Sequence, residues 1–442
     1  MKIGFVSLGC SKNLVDTEVM LKILADHGYE ITPDDTEADI IVVNTCGFIQ
    51  SAKEEAIENI LDVAWLKKNR SLRGIIATGC LVERYREEIF TEMPEVDALL
   101  GTGSYHKIAE AVEAVARGEK YSSFEDKEKA PLGGERVLTT PDYTAYLKVA
   151  EGCDNRCTYC AIPLIRGGMR SRKMEDIVQE AKELESLGVK ELNLIAQDTS
   201  RYGLDIYGKY MLPELIRQIT KETGIPWIRL LYLYPDKITD ELIAEIRDND
   251  RVCKYIDLPI QHISDKVLSA MNRHGDSAMI RDAVARIRAA IPDATLRTTA
   301  IVGFPGETEE DFTELCEFVK EAEFDRFGAF TYSPEEGTAA AEFADQIDEQ
   351  VKQDRYDTLM QVQLAVSEKK LAAAVGKKIE VLCEGYDAAA GVHFGRSRAD
   401  APDVDGKVYF TAPKKIRAGR FVEIEVTEAM DYDLFGEWVS TR

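Results

Sequence analysis

The chain has 442 residues, 45% of them hydrophobic and 30% charged, and a formal net charge of −24. This composition excludes a disordered chain, and the length predicts roughly two to four domains. The acidic balance opposes binding to bare nucleic acid, which needs basic surface, and favours a basic partner.

The sequence contains no apolar run long enough to span a bilayer, and the strand-like start MKIGFVSLGC is too short for the apolar region of a signal peptide. We therefore expect a cytoplasmic protein with no membrane partner. In that compartment, nine cysteines indicate metal or redox chemistry rather than disulfides. The five histidines show no ligand spacing, which argues against a mixed Cys/His zinc site.

Residues 1–120 alternate strand and helix patterns. The apolar runs KIGFVSLGC, DIIVVNTC and GIIATGC are each followed by a helix-like stretch. This order predicts an N-terminal α/β domain with a parallel sheet. A charged segment with Gly and Pro but no periodicity follows, and we interpret residues 121–140 as a linker.

Each of these three runs ends on a cysteine, at Cys10, Cys46 and Cys80. Because the carboxyl ends of parallel strands meet at one edge of a sheet, the three thiols are expected to converge there. Three thiols could hold an iron–sulfur cluster and leave one iron without a protein ligand. The alternative is that each is a small buried residue, which is the more common role of a lone cysteine after a strand.

The segment EGCDNRCTYCAIP places Cys153, Cys157 and Cys160 on one short loop after the first strand of a second βα series. Three thiolates in C-x3-C-x2-C spacing can bind three irons of a cubic cluster. A structural zinc site is the alternative, but zinc sites usually show two C-x2-C pairs and no second pair is near. Three other cysteines have no matched partners and are expected to be buried or incidental: Cys253, Cys316 and Cys383.

Residues 141–370 continue this βα series. The strand candidates are AYLKVAEG, ELNLIAQD, WIRLLYLY, YIDLPI, TLRTTAIVGF and RFGAFTYS, and a long helical stretch covers about 346–374. Six such strands predict a partial (β/α)6 barrel with its chemistry at the strand carboxyl ends. Residues 371–442 then show short alternating strands, which predict a small antiparallel β-barrel.

The cysteine loop with Tyr159 before its last cysteine resembles the radical S-adenosylmethionine (SAM) superfamily. The resemblance implies that the open iron of a 4Fe-4S cluster chelates SAM and that electron transfer cleaves SAM to a 5′-deoxyadenosyl radical. It also implies that Tyr159 lies beside the adenine, although a core aromatic is the plain alternative. Gln197, Gly303 and Gly306, at strand ends, are weaker candidates for SAM contacts, because ordinary βα turns look similar. Gln261 and His262 end another strand at this face, and His262 is as consistent with a structural as with a catalytic histidine.

The whole order of motifs, GCSKNLVD, NTCGF, GCL, GCDNRCTYCAIP and RGGMRSR, is similar to the radical SAM methylthiotransferase family, whose C-terminal module is called TRAM. The resemblance implies a second 4Fe-4S cluster on Cys10, Cys46 and Cys80, which carries the sulfur that becomes the methylthio group. It further implies that one SAM methylates this sulfur, that the radical from a second SAM removes a hydrogen from the substrate carbon, and that a low-potential electron donor is needed.

Two branches of that family differ in substrate. MiaB-type enzymes modify an adenosine of tRNA, and RimO-type enzymes modify the β-carbon of an aspartate in small-subunit ribosomal protein twelve. GFVSLGCSKNLVDTE, IPLIRGGMRSR and GRSRADAPDVDG resemble the RimO branch. From residue 371 onwards the chain has ten Lys/Arg and twelve Asp/Glu.

The segment containing Asp400, Asp403 and Asp405 would repel phosphates and complement a basic protein, unless it is merely a solvated acidic loop. We therefore expect the ribosomal protein, in its ribosomal context, as the substrate rather than tRNA. The basic stretch KKIRAGR (414–420) leaves contact with ribosomal RNA open. A non-catalytic iron–sulfur or zinc protein is the hypothesis from another class.

Overall fold

The N-terminal domain is a sheet covered by helices on both faces. The computed structural model describes residues 1–441; Arg442, the last residue of the predicted C-terminal domain, lies outside them. The strands of this domain are β1 (Lys2–Ser7), β2 (Glu30–Ile31), β3 (Ile40–Thr45), β4 (Gly74–Gly79), β5 (Ala98–Leu100) and β6 (Tyr121–Ser123). Its helices are α1 (Ser11–Asp26), α2 (Gln50–Asn69), α3 (Cys80–Tyr85), α4 (Glu88–Glu92) and α5 (Ile108–Ala116).

All pairings in this sheet are parallel, in the order β2-β1-β3-β4-β5-β6. Every residue of β3 and β4 is buried, as their apolar runs predict for strands covered on both faces. One apolar cluster packs α1 and α5 on one face, and a second packs α2, α3 and α4 on the other. The predicted parallel α/β domain is therefore confirmed.

The central domain follows as a second βα series. Its strands are β7 (Thr144–Lys148), β8 (Ala150–Glu151), β9 (Arg170–Ser171), β10 (Glu191–Ile195), β11 (Trp227–Leu230), β12 (Val252–Asp257), β13 (Thr295–Val302) and β14 (Arg326–Thr331). Its helices are α6 (Ile162–Arg166), α7 (Met174–Ser186), α8 (Leu204–Tyr207), α9 (Leu212–Glu222), α10 (Asp240–Asp248), α11 (Asp265–Ala270), α12 (Ser277–Ala290), α13 (Glu309–Ala322) and α14 (Glu349–Ala372).

The central sheet is parallel throughout and open between β14 and β7, in the order β14-β13-β12-β11-β10-β7. These strands coincide with the six predicted from the sequence, so the partial barrel is confirmed. The largest apolar core lies between the strands and the surrounding helices. The short strands β8 and β9 form a separate antiparallel pair.

The C-terminal domain is a closed barrel. Its strands are β15 (Lys378–Asp387), β16 (Val392–Ser397), β17 (Val408–Thr411), β18 (Phe421–Ala429) and β19 (Leu434–Thr441). The strands are ordered β15-β16-β17-β19-β18, and all pairs are antiparallel except β17 with β19. Short 3₁₀ segments complete the described chain at Asp35–Glu37, Tyr105–Lys107, Lys127–Lys129, Thr199–Arg201, Pro235–Lys237 and Ala339–Glu342.

The loop between β16 and β17 packs into the inner face of the central barrel, and this overturns the predicted role of its carboxylates. Asp400 is 2% exposed and accepts hydrogen bonds from Arg326 at 2.5 Å. Asp405 accepts a hydrogen bond from the Tyr255 hydroxyl at 2.6 Å, and Asp403 accepts one from Tyr146 at 3.0 Å. The prediction that these carboxylates face a basic partner is wrong for Asp400 and Asp405, because their side chains are enclosed by groups of the chain. Asp403 is exposed, and for it the prediction stays a prediction.

The segment interpreted as a linker is docked on the N-terminal domain. Its first residues form β6, which joins the sheet edge beside β5. Further along, Arg136 donates to the Glu18 carboxylate of α1 at 2.7 Å, and the Thr139 backbone N–H donates to the same carboxylate at 2.8 Å. Over residues 1–441, no helix combines the length and the apolar character needed to cross a membrane.

Candidate active site

The three N-terminal cysteines lie at the carboxyl ends of three neighbouring strands. Cys10 is three residues beyond β1 and caps α1, Cys46 directly follows β3, and Cys80 follows β4 as the first residue of α3. The strands pair in register, with Ser7 beside Asn44 and Thr45 beside Gly79. The sheet therefore brings the thiols to one edge, as the spacing predicted.

Two glycines let these loops approach each other closely. A Cβ on Gly9, whose φ is +85°, would lie 3.0 Å from the Cys46 sulfur. A Cβ on Gly47 would lie 2.7 Å from the Leu81 backbone, next to Cys80. The Asn13 amide ties the same loops by donating to the Leu8 carbonyl at 2.7 Å. Any larger residue at either glycine would push the thiol-bearing loops apart.

The charges of neighbouring thiols contribute to the pKa shifts in this set. Burial, together with the charges of Cys10 and Cys46, raises the pKa of Cys80 to about 12 against the opposing charge of Arg166. Burial also raises the pKa of Cys46. At Cys10, desolvation is outweighed by Lys12 and Arg166, which lower the pKa of the thiol. A set of thiols that destabilise one another's anions in this way is suited to bind a cationic centre.

The second set of thiols lies on the loop after β8. Cys153 and Cys157 are buried and Cys160 is half-buried, and the Cys160 N–H donates to the Cys157 carbonyl at 3.0 Å. Burial raises the pKa of Cys153 to about 11, and burial with the neighbouring Cys157 raises that of Cys160. All nine cysteines of the chain are free thiols.

Buried N–H groups point at two sulfurs of this second set. The Asn155 amide donates to the Cys153 sulfur at 3.4 Å and to Asp198 at 2.8 Å. Arg273 lies 3.9 Å from the Cys157 sulfur, while its other nitrogen donates to the Pro259 carbonyl at 2.6 Å. Such donors stabilise anionic sulfur in a site with little solvent.

Helix α6 lies next to thiols of both sets. Ala161, which follows Cys160, and Ile165 pack against Cys80. At the end of this helix, Arg166 donates to the Cys80 sulfur at 3.6 Å and to Asp16 of α1 at 2.6 Å. One short helix thus contacts a ligand candidate of each set.

A buried charge network joins the domains beside α6. Lys148 donates to Asp16 at 2.5 Å and to Glu151 at 2.9 Å, and Arg166 also donates to Glu151 at 3.2 Å. Each of these four residues is at most 6% exposed. Although burial opposes ionisation, Lys148 and Arg166 hold the pKa of Glu151 well below its usual range.

Two of the predicted SAM contacts lie around the barrel cysteines. Tyr159 is half-buried and packs against an apolar cluster that includes Met271, Phe304 and Tyr332. Gln197 donates to Glu151 at 2.6 Å, and its buried side-chain oxygen has no hydrogen-bond partner within the described chain. A buried acceptor without a donor is a natural position for a ligand group.

The glycines of the β13 end differ from each other. At Gly303, whose φ is +72°, a Cβ would lie 2.3 Å from the Lys352 side chain, so packing within the chain already requires glycine there. At Gly306 no atom lies within 4 Å of the Cβ position, while its N–H donates to the Asp345 carbonyl at 2.8 Å and its carbonyl accepts from Lys266 at 2.7 Å. His262 is fully buried, with Nδ1 accepting from the Ser264 N–H at 3.0 Å and Nε2 3.4 Å from Glu307. His262 Nε2 has no hydrogen-bond partner within the described chain, so the structural and the catalytic role of this histidine both stay predictions.

Sequence reasoning missed the charged residues between the thiol sets. Asp16 lies within the GCSKNLVD motif and Arg166 within RGGMRSR, but neither received a role from its spacing. Lys148 offered a signal, because a lysine is unusual in an otherwise apolar strand such as AYLKV. The Asn155 and Arg273 donors gave no comparable signal.

The donor sets fit iron–sulfur clusters. Each offers three thiols and at least one buried N–H donor directed at a sulfur. A cubic cluster takes one thiolate on each of three irons, whereas a single ion draws its ligands to one centre. In the part of the chain that the structure describes, no three His, Cys, Asp or Glu side chains are gathered around a single metal position.

A parallel partial barrel with a three-cysteine loop after its first strand defines a radical SAM protein. Comparison with known families agrees: the Radical SAM superfamily matches residues 147–319, Uncharacterized protein family UPF0004 matches 2–101, and the TRAM domain matches 375–439. Superfamily membership implies a 4Fe-4S cluster and SAM. The resemblance inferred from the cysteine motifs is thereby confirmed at the level of the class.

The chain is 51% identical to the ribosomal protein uS12 methylthiotransferase RimO of Thermoanaerobacter sp. (strain X514), over 99% of both chains. It is also 51% identical, again over 99% of both chains, to the protein of the same name from Geobacter sulfurreducens. The chain therefore belongs to the RimO family of radical SAM methylthiotransferases.

Among solved structures, the radical SAM methyltransferase TsrM from Kitasatospora setae has a similar fold. The TM-score is 0.57 at 13% identity, and the match covers 77% of this chain and 73% of TsrM. At this identity the likeness concerns the fold alone.

Proposed function

We propose that this radical SAM methylthiotransferase adds a methylthio group to the β-carbon of an aspartate in small-subunit ribosomal protein uS12. The observation that carries the proposal is that α6 lies next to two three-thiol sets, one at the edge of the N-terminal parallel sheet and one on the loop after β8. The name shared by the full-length relatives supports the substrate. Small-subunit ribosomal protein twelve is a cytoplasmic substrate, so we also propose a cytoplasmic location.

In this proposal Cys153, Cys157 and Cys160 hold the cluster that binds SAM, and a second 4Fe-4S cluster is held by the N-terminal set, Cys10, Cys46 and Cys80. When bound, the clusters and SAM supply the radical that breaks an unactivated C–H bond and the sulfur that replaces the hydrogen, which acid–base side chains cannot do. Tyr159, Gln197 and Gly306 are the proposed SAM contacts, and Gly303 shapes the same strand end.

The residues of this chain hold the two sites in fixed relation. The buried network of Asp16, Lys148, Glu151 and Arg166 spans the domain boundary and leaves little room for relative motion. Burial of the barrel thiols limits the access of water to that set. A low-potential electron donor is a further requirement of the proposal.

The charge argument for a protein substrate now rests on the whole chain. Asp400 and Asp405 bind groups within the chain, which leaves Asp403 as the exposed carboxylate of these three, and the net charge of −24 still opposes tRNA. One observation favours RNA contact: Lys414, Lys415, Arg417 and Arg420 are exposed on the C-terminal barrel. In the ribosomal context, this patch fits contact with ribosomal RNA.

Anaerobic reconstitution followed by mass spectrometry tests the function. The chain is incubated with SAM, a reductant and either the uS12 protein, a peptide of its target loop, or tRNA. A mass increase on the target aspartate, together with about eight irons per chain, is the expected result. Methylthiolation of tRNA alone would contradict the substrate, and an iron-free zinc protein without SAM cleavage would contradict the enzyme.

A further inference from the structure

Arg166 belongs to the central domain but contacts a thiol of the N-terminal domain. Its Nη2 donates to the Cys80 sulfur at 3.6 Å and to the Asn13 side-chain oxygen at 3.1 Å, while Nη1 donates to Asp16 at 2.6 Å. The side chain is 4% exposed. A guanidinium of one domain is therefore held against a sulfur of the other.

The position of this guanidinium is fixed by carboxylates from both domains. Asp16 comes from α1 of the N-terminal domain, and Glu151 comes from β8 of the central domain. Lys148 bridges the same two carboxylates. Because a guanidinium is planar and always charged, this arrangement aims one N–H and one positive charge at Cys80 in every protonation state of the neighbours.

We propose that Arg166 is a positioning residue that raises the reduction potential of the iron–sulfur cluster held by Cys10, Cys46 and Cys80. This inference rests on the proposed function, because it requires a cluster on that set. Hydrogen bonds to ligand sulfurs and nearby positive charge both stabilise the more negative, reduced form of a cluster. The central domain thus controls how readily the N-terminal cluster accepts an electron.

The barrel thiols have their own donors. Arg273 lies by Cys157, and Asn155 donates to Cys153, so the second set does not depend on Arg166 for a hydrogen bond to sulfur. Removing Arg166 should therefore change mainly the reduction potential of the N-terminal cluster and have less effect on that of the barrel cluster. This selectivity separates a tuning role from general damage to the fold.

The test is a redox titration monitored by electron paramagnetic resonance on the full chain carrying both clusters. Arg166→Gln removes the positive charge and the guanidinium donors. Arg166→Lys keeps the charge but replaces the planar guanidinium by a single ammonium group. A background in which Cys153, Cys157 and Cys160 are alanine assigns the N-terminal signal. We expect a clear shift of the N-terminal potential to more negative values in the glutamine variant, a smaller shift in the lysine variant, and a lesser change at the barrel cluster.

Arg172→Gln is the matched control. Arg172 is also a buried arginine of the RGGMRSR segment, but it donates to the Lys148 carbonyl at 2.8 Å and to Glu180 at 2.6 Å. Its replacement should leave both potentials at their original values. An equal shift in the Arg172 variant would show that any lost buried charge has this effect, and would overturn the proposal.

Two further outcomes are distinguishable. An unchanged N-terminal potential in Arg166→Gln, with both clusters present, overturns the role of Arg166 and leaves the proposed function intact. If the unsubstituted chain binds only about four irons, the second cluster itself is absent, and both this inference and the proposed cofactor set fail. Should the glutamine variant not fold, the lysine variant carries the same comparison.

Discussion

Cys46 shows how a single residue connects the sheet to the proposed chemistry. It directly follows β3, and a Cβ on the neighbouring Gly9 would lie within 3.0 Å of its sulfur, so the thiol is held by the surrounding loops rather than left to move. Burial raises its pKa, and the charge of Cys10 adds to the shift. A metal is the natural means to keep such a thiol ionised.

Cys46→Ala is expected to remove one ligand of the N-terminal cluster. Iron content should fall from about eight to about four per chain, and methylthio transfer should be lost while SAM cleavage at least partly persists. Iron analysis and product assays check this outcome. Cys383→Ala is the control, since Cys383 is fully buried in the C-terminal barrel core. If SAM cleavage were lost to the same degree as methylthio transfer, with the barrel cluster intact, the two clusters would not have separate roles.

Glu191 makes the interface with the C-terminal barrel sensitive to pH. It accepts a hydrogen bond from Arg229 at 3.0 Å and ion-pairs with Arg396 at 2.5 Å, with no exposed surface. Although burial opposes ionisation, Arg396 and Arg229 hold the pKa of Glu191 at about 2. The pKa of Glu191 in the folded chain lies below that of an ordinary glutamate. Ionised Glu191 therefore stabilises the fold above about pH 4.3, and this contribution is lost as the pH falls towards 2.

Glu191→Gln should therefore destabilise the chain by about 3–5 kcal/mol near neutral pH, because two arginines are left buried without their anion. The difference from the unsubstituted chain should shrink as the pH is lowered from about 4.3 towards 2. Urea unfolding followed by tryptophan fluorescence measures the free energy of unfolding and its dependence on pH, since Trp227 packs at this interface. Glu214→Gln, in a half-exposed pair with Arg217, should cost less than about 1 kcal/mol. A difference that stays constant with pH would exclude the charge mechanism.

At the scale of elements, the segment after β6 is held on α1 by one carboxylate. Glu18 is 1% exposed and accepts from Arg136 at 2.7 Å, from the Thr139 N–H at 2.8 Å and from its hydroxyl at 3.1 Å. Arg136 is paired further with Glu180 of α7 at 2.9 Å. A segment that looks like a linker by composition thus connects helices of two domains.

Glu18→Ala is expected to release this segment from α1. Hydrogen bonds to a charged group contribute about 1.5–3 kcal/mol, so trypsin cleavage at Arg136 should become about tenfold faster or more. Limited proteolysis with mass analysis of the fragments provides the measurement. Glu55→Ala, on the exposed face of α2, serves as the control and should leave the cleavage rate unchanged. If trypsin cleaved the Glu18 variant no faster than the unsubstituted chain, contacts other than Glu18 would hold the segment.

At the scale of the whole molecule, the C-terminal barrel closes the open inner face of the central one. Tyr146, Trp227 and Tyr255 pack with Leu382 and Ala401 in one apolar cluster, which also includes Val15 of α1. On the opposite faces of the strands, Ala145 and Leu147 contact the outer helices. The period of two in β7 therefore divides its side chains between two different domain contacts.

Asp400→Ala should loosen this closure, because Arg326 then loses its buried partner. A cost of about 3–5 kcal/mol is expected, which corresponds to about 100-fold or faster local hydrogen exchange in β14 and in residues 397–405. Exchange measured by mass spectrometry tests the effect. Asp387→Ala, in a turn of the same barrel that bonds only the local Ala389 and Ala390 N–H groups, is the comparison. Exchange in β14 that rises equally in both variants would refute a specific role for Asp400.

The sequence by itself determined the elements, their order and the positions of the six candidate ligands. The runs ending in Cys10, Cys46 and Cys80 became β1, β3 and β4, and the six barrel strands appeared where their patterns placed them. These features depend on local periodicity and on the rule that the carboxyl ends of parallel strands meet at one edge of the sheet. The three-residue strand β5 escaped prediction because too few residues carry a pattern, and the eight-residue β19 also went unpredicted.

Only the tertiary structure decided which charges are used inside the chain. Asp16 and Arg166 lie 150 positions apart, and they meet because two domains dock along α6. Asp400 looked like surface charge in sequence but pairs with Arg326 inside the barrel. The physical reason is the same in both cases: a charge can be buried only where another domain supplies its partner, and no local pattern contains that information.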